Sequence, residues 1–358
     1  MKVLTIVGAR PQFVKAAVVS RAFQAHKSDI SEVIVHTGQH YDTNMSDVFF
    51  EEMEIPKPQY HLGIGGGTHG QNTGRMIEQI EEVLLKEKPD LLLVYGDTDS
   101  TLAGAVAAAK IHIPVAHVEA GLRSFNKKMP EELNRIATDH FSEILFTPTK
   151  TATRNLANEG ISGDKVIEVG DVMYDAALYY KAKAQKPDKI DEKSKFILCT
   201  IHRAENTDSP ERLRNIFTAL NEVSKDTQVI LPIHPRTRKI LASSGIDVSK
   251  IHFIDPVGYF QMIWMLEHCE MVVTDSGGLQ KEAYFFQKPC VTVRDETEWV
   301  ELVETGANTI VGASKELIVK ICLEGRPFQV SNSSLYGKGK ASLEIVNTFD
   351  MLFDGGKI

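Results

Sequence analysis

Proton-transferring side chains recur in this chain at one kind of place, directly after a short apolar run. Asp97 and Asp99 follow Leu91-Leu92-Leu93-Val94-Tyr95 and Gly96. Glu119 follows Pro114-Val115-Ala116-His117-Val118 and is itself followed closely by Gly121. His202-Arg203 follows Phe196-Ile197-Leu198-Cys199-Thr200, and His234-Pro235 follows Thr227-Gln228-Val229-Ile230-Leu231. Carboxylates and imidazoles in such positions serve general acid–base chemistry. Anion-holding groups occupy equivalent places. Gly8-Ala9-Arg10-Pro11 precedes Lys15, and Asp275-Ser276-Gly277-Gly278 follows Met271-Val272-Val273-Thr274. Glycines let a phosphate approach bare backbone N–H groups at a helix start. Glu282, a turn or more further on, is placed to accept both hydroxyls of a ribose.

Local roles compete at each position. One residue of 97–101 is needed to cap the next helix, and two carboxylates exceed that need. Glu131 and Arg135 are four apart, share a helix face and, taken alone, make a weak surface ion pair. Arg10 and Lys15 after a strand also fit an ordinary strand–turn–helix with two cations. The first turn lacks Gly-x-Gly-x-x-Gly and the Walker pattern, so neither a dinucleotide fingerprint nor a P-loop is present. No nicotinamide or metal motif stands out, and no cofactor is expected.

The elements that must position these residues alternate from end to end. Continuous apolar runs, rather than alternating ones, read as strands buried on both faces. Strands separated by helices give α/β domains with parallel, doubly wound sheets. The 358 residues exceed what one core commonly supports, so two domains are expected. They divide as 1–175 and 176–340, with 181–194 read as a hinge or linker. A last helix, about 341–358, could cap either domain. Ligands of such sheets bind beyond the carboxyl ends of the strands, in a cleft between the two domains.

The composition is 42% hydrophobic and 25% charged, which fits a globular protein. A net charge of −8 argues against a sequence-independent nucleic-acid binder. No apolar stretch approaches the roughly 20 residues of a membrane span, and the N-terminus has no signal-peptide shape. Cys199, Cys269, Cys290 and Cys322 have no paired spacing and suit buried, reduced thiols in the cytoplasm.

Seven segments together resemble the non-hydrolysing UDP-N-acetylglucosamine 2-epimerases. These are Gly8-Ala9-Arg10-Pro11 with Lys15, Gly38-Gln39-His40, Gly96-Asp97-Thr98, and His117 through Arg123. The others are Pro130-Glu131-Glu132 with Asn134-Arg135, His202-Arg203 with Glu205-Asn206, and Asp275 through Gly278 with Gln280 and Glu282. The resemblance implies a GT-B fold whose last helix packs back on the N-terminal domain, a UDP-sugar substrate and a homodimer. It implies that Ser276, Gly277 and Gly278 hold the diphosphate and Glu282 the ribose. Arg10, Lys15 and His234 add contacts to the nucleotide sugar. Asp97, Glu119, Glu131 and His202 are the implied acid–base groups, with Arg135 beside them. The implied reaction inverts C2 of a 2-acetamido sugar through loss and return of UDP. A GT-B glycosyltransferase and a hydrolysing epimerase remain alternatives.

Several features are closest to the branch acting on UDP-2,3-diacetamido-2,3-dideoxyglucuronate. They are Gln12-Phe13, Tyr41-Asp42, the loop Gly65 to Gln71, Ser124-Phe125-Asn126, and Trp299 where many members have Arg-Pro. A uronate carboxylate needs a donor, and Arg123 or the glycine-rich loop are candidates. The N-acetylglucosamine and uronate alternatives both stay open at this point.

Overall fold

Strands β1 (Lys2–Val7), β2 (Ser31–His36), β3 (Tyr60–His61), β4 (Leu91–Tyr95), β5 (Val115–Val118), β6 (Ile144–Thr147) and β7 (Val166–Glu168) form one sheet in a computed structural model of the chain. Their order is β3-β2-β1-β4-β5-β6-β7. A second sheet holds β8 (Phe196–Thr200), β9 (Gln228–Pro232), β10 (His252–Ile254), β11 (Met271–Thr274), β12 (Cys290–Thr292) and β13 (Asn308–Ile310), in the order β10-β9-β8-β11-β12-β13. All these pairings are parallel. The structure describes residues 1–26, 30–38, 53–188, 190–191, 195–325 and 334–354, without the side chains of 10, 353 and 354. Gln39-His40 and Tyr41-Asp42 therefore lie outside the described residues.

The doubly wound α/β class expected from the alternating runs is the observed one. β4, β5, β6, β8 and β11 are buried along their whole length. Full burial of each Leu or Val in them stabilises by about 1.5–3 kcal/mol. Small residues let the helix Asp99–Lys110 lie close on its sheet. A Cβ at Gly104 would come within 3.1 Å of Ile6 and 3.2 Å of Val94.

Each strand order reverses at one point, between β1 and β4 in the first sheet and between β8 and β11 in the second. Helices leave to opposite sides there, which opens the strand ends to a ligand. The segments after β1 and β4 carry Lys15 and Asp97. Those after β8 and β11 carry His202 and Asp275 through Gly278. The sequence that breaks each strand thus delivers its polar groups to a switch point.

The chain separates into Met1–Ala176 with Ser334–Ile358, and Ala177–Ser333, here units 1 and 2. The division falls inside the helix Val172–Lys181, ahead of the segment read as a linker. A few of its described residues pack on the core of unit 2. Ile190 is buried against Phe196 and Leu198, Ala184 packs beside them, and Gln185 N donates to the Phe260 carbonyl at 3.1 Å. Its polar composition concealed these few apolar anchors.

The last helix, Ala341–Asp354, lies in unit 1, where Phe349 stacks on Phe23 and Asp350 pairs with His26. Asp175 holds its start, accepting from Ala341 N (3.1 Å), Ser342 N (2.8 Å) and Ser342 Oγ (2.7 Å). All four cysteines are buried and unpaired with one another. Among the described residues, no helix is long and apolar enough to cross a membrane.

Asp175→Ala leaves two N–H donors at that helix start, one of them buried, without their acceptor. The variant should lose about 2 kcal/mol of unfolding free energy in urea titrations.

Candidate active site

The turn after β4 is built around Gly96, which adopts a left-handed backbone with φ of +66°. A Cβ there would approach Lys15 Nζ within 3.1 Å and Glu119 Oε2 within 3.3 Å. Glycine therefore makes room for two charged groups arriving from other strand ends. The next helix is capped by Thr98, whose hydroxyl accepts from Thr101 N at 3.3 Å. The Asp97 and Asp99 carboxylates are both released from that task. Asp97 Oδ2 lies 2.8 Å from Arg135 Nη2. Partial burial pushes the Asp97 carboxyl above its ordinary range. Arg135 and Lys15 oppose that, while Glu119 and Glu131 reinforce it.

Gln12 joins this turn to the one after β1. Its side-chain oxygen accepts from Gly8 N (2.8 Å) and Ala9 N (3.0 Å). Its amide nitrogen donates to the Tyr95 carbonyl (2.9 Å) and Thr101 Oγ1 (3.0 Å). The helix that starts at Arg10 is thereby registered on β4, and Lys15 follows one turn later. Lys15 Nζ forms a buried ion pair with Glu119 Oε2. The Arg10 side chain lies outside the described residues.

Glu119 has φ of +76°, a conformation that costs a non-glycine residue about 1–3 kcal/mol. The surroundings over-determine it. Glu119 N and Ala120 N both donate to the Phe146 carbonyl, each at 3.1 Å. Beneath lies a buried array. His117 Nδ1 is 2.7 Å from Asp139 Oδ1, and His117 Nε2 donates to the Gly96 carbonyl at 2.7 Å. Asp139 Oδ2 accepts from Gly121 N at 3.1 Å and pairs with Arg123 Nη1 at 2.8 Å. Burial disfavours the Asp139 charge, yet His117 and Arg123 together hold the carboxyl below its ordinary range.

Arg123 is thus not available to a sugar carboxylate. It is 2% exposed, its Nε and Nη2 bond both Glu159 oxygens at 2.7 Å, and Nη1 also donates to the Leu122 carbonyl. The expected Glu131–Arg135 surface pair is also corrected. Arg135 is buried, and its carboxylate partners among the described residues are Asp97 and Glu132 (3.5 Å). From Glu131 it takes the backbone carbonyl, with Nε donating at 3.2 Å. A half-buried aspartate outcompetes a neighbour on the same helix face. Glu132 instead clamps the loop before the helix, accepting from Ser124 N (2.9 Å) and Phe125 N (2.8 Å).

In unit 2 the organising group is Asp275, fully buried after β11. Its oxygens accept from His202 N (3.1 Å), Arg203 N (3.0 Å) and Asn206 Nδ2 (3.1 Å). The His202 ring remains half exposed, with Nδ1 3.6 Å from Asp275 Oδ1. Register supports this, since Thr200 and Thr274 are partners and their hydroxyls lie 2.7 Å apart. Ser276 is the N-cap of the helix Gly277–Phe285, but its side chain makes no capping bond. Gly278 is exposed with open space around it. Gly277 is buried, and the Glu298 carboxylate occupies the place of its missing side chain. Glu298 is itself held by Arg294 at 3.0 Å. Glu282 lies further along that helix, 9% exposed. Trp299, in the divergent late motif, receives the Lys281 ammonium 4.1 Å from its ring centre. His234 is exposed and caps the next helix, Nδ1 accepting from Arg236 N at 3.2 Å, which leaves Nε2 for a ligand.

Lys15, Asp97, Glu119, Glu131 and Arg135 therefore converge in unit 1. His202, His234, Ser276, Gly277, Gly278 and Glu282 stand beyond strand ends of unit 2. The positioning roles of Gln12, Glu132, Asp139 and Asp275 were missed in the sequence. Asp139 gave no signal, because the buried residues of its helix are all polar, Glu132, Asn134, Arg135, Thr138 and Asp139, while Leu133 and Phe141 are exposed.

The profile described as UDP-N-acetylglucosamine 2-epimerase matches residues 21–350. The chain is 57% identical over 350 residues to the UDP-2,3-diacetamido-2,3-dideoxy-D-glucuronate 2-epimerase of Pseudomonas aeruginosa, covering 96% of this chain and 98% of that one. It is similar to the crystal structure of Methanocaldococcus jannaschii UDP-GlcNAc 2-epimerase in complex with UDP-GlcNAc and UDP. That match has a TM-score of 0.87 and 44% identity, over 98% and 99% of the two chains. The Neisseria meningitidis UDP-GlcNAc 2-epimerase bound to UDP-GlcNAc gives 0.88 and 34%, over 98% and 99%.

Asp139→Asn tests the buried array. A carboxyl held low in the fold contributes stability above its unfolded value near 3.9, and loses it as pH falls through the lower folded value. The variant should be about 3 kcal/mol less stable than wild type at pH 7. Urea midpoints measured against pH should show the deficit shrinking below about pH 4.

Proposed function

The chain belongs to the UDP-N-acetylglucosamine 2-epimerase family, and we propose that its substrate is UDP-2,3-diacetamido-2,3-dideoxyglucuronate, inverted at C2 to the mannuronate isomer. The C2 proton of a 2-acetamido pyranoside is weakly acidic, because no carbonyl lies beside that carbon in the ring. Loss of UDP from C1 makes its removal feasible. The C1–O bond breaks with its electron pair leaving on UDP, a base takes the C2 proton, and a C1=C2 double bond forms. UDP then adds back to C1 of this 2-acetamidoglycal while a proton arrives at C2 from the opposite face.

That sequence needs acid–base groups for two faces and positive groups for the departing diphosphate. In this reading Asp97, Glu119, Glu131 and His202 exchange the protons. Arg135 orients Asp97. Arg10, Lys15 and His234 contact the nucleotide sugar, Ser276 to Gly278 hold the diphosphate and Glu282 the ribose. The observation that carries the reading is the pairing around Gly96. Asp97 and Glu119 share one polar cluster, each tied to a cation, and burial raises the Asp97 carboxyl. A raised carboxyl suits a group that must both take and return a proton. The 57% identity to the uronate epimerase favours the acidic sugar over UDP-N-acetylglucosamine. The proposed setting is a cytoplasmic homodimer that supplies surface-polysaccharide synthesis.

With UDP-sugar alone and no acceptor, the protein should interconvert the C2 epimers without net release of UDP. Specificity constants should favour the diacetamido uronate over UDP-N-acetylglucosamine. Asp97→Asn, Glu119→Gln and His202→Ala should each lower kcat by about 100-fold or more with the fold intact. Full activity in all three would overturn the assignment.

A further inference from the structure

His69 opens the helix His69–Glu87 after the glycine-rich turn. Capping does not explain it, because Thr68 performs that role, its hydroxyl accepting from Gln71 N at 3.3 Å. The His69 side chain is 75% exposed, yet it is tied to a nearly buried group. Nδ1 lies 2.8 Å from Asp99 Oδ2, and the Asp99 side chain is 10% exposed. The other Asp99 oxygen accepts from Asn134 Nδ2 at 3.1 Å, and that same nitrogen donates to the Asp97 carbonyl at 3.0 Å. One amide therefore links the imidazole support to the residue proposed for proton transfer.

This geometry has a chemical direction. A carboxylate on Nδ1 keeps a proton there and aims Nε2 away from the protein. With protons on both ring nitrogens, Nε2 can donate to an incoming anion while the other N–H stays on Asp99. An exposed ion pair alone contributes little stability, and Asp99 is not a helix cap, so neither local role accounts for the arrangement.

Among the described side chains, the other cations of the cluster are each paired with a carboxylate. Lys15 is paired with Glu119, Arg135 with Asp97, and Arg123 with Asp139 and Glu159. A sugar bearing a carboxylate at C5 needs a donor beyond those serving the diphosphate. We infer that His69, oriented by Asp99, receives that carboxylate and selects an acidic sugar over its neutral counterpart. The inference rests on the uronate substrate proposed above and names the residue that recognises it.

The test compares wild type, His69→Ala and His69→Lys, as full chains, with UDP-2,3-diacetamido-2,3-dideoxyglucuronate and with UDP-N-acetylglucosamine. Loss of one charge-assisted hydrogen bond should lower the uronate-to-neutral ratio of kcat/KM by about 10- to 100-fold in His69→Ala, chiefly through KM of the uronate. His69→Lys, which retains a cation, should recover part of the ratio. Equal losses on both substrates, or an unchanged ratio, would overturn the role of His69 while leaving the substrate reading intact. A wild type without preference for the uronate would overturn that reading and the inference with it.

Discussion

The buried array of His117, Asp139 and Arg123 is the constraint on which the unit 1 site depends. It fixes two turns at once. His117 reaches the Gly96 carbonyl and so holds the turn bearing Asp97. Asp139 accepts from Gly121 N and so holds the turn bearing Glu119. Burying these charges is costly, and the cost is offset only because both Asp139 oxygens, both ring nitrogens and the guanidinium have partners. An incomplete array would leave an uncompensated charge beneath the site. Its completeness explains how Glu119 persists with a left-handed backbone.

Unit 2 uses the same physical device at its own switch point. Asp275 is buried and takes the backbone N–H groups of His202 and Arg203. The His202 ring is left half exposed above it. In each unit a buried aspartate accepts from backbone N–H of a turn and so fixes the turn that bears an ionisable side chain, Glu119 in unit 1 and His202 in unit 2. The strained or polar segments lie beyond rigid parallel strands, which suits groups that must keep a fixed geometry through proton transfer.

Much of the framework was legible because continuous apolar runs such as Leu91–Tyr95 admit few alternatives. The edge strands β3, β7, β10 and β13 were not. They are two or three residues long and carry mixed side chains, so only pairing with a neighbouring strand defines them. Asp97 and Glu119 stood out as carboxylates at strand ends. Their supports did not, because Gln12 acts across 83 residues to reach Tyr95, and spacing in the chain carries no trace of such a bond. The Glu131–Arg135 spacing pointed to a local pair, whereas tertiary structure offered Arg135 the stronger partner Asp97. Arg123 was misread for a related reason. Its charge was visible in the sequence, but its complete engagement by Asp139 and Glu159 was not.

The central claim is that C2 is inverted by proton removal and return, coupled to loss and return of UDP. Exchange with solvent tests it most directly. The UDP-sugar is incubated with the enzyme in deuterated water, and both epimers are recovered and examined by NMR. The account predicts deuterium at C2 of the newly formed epimer, with UDP restored at C1. Epimerisation with the original proton retained at C2 would contradict it.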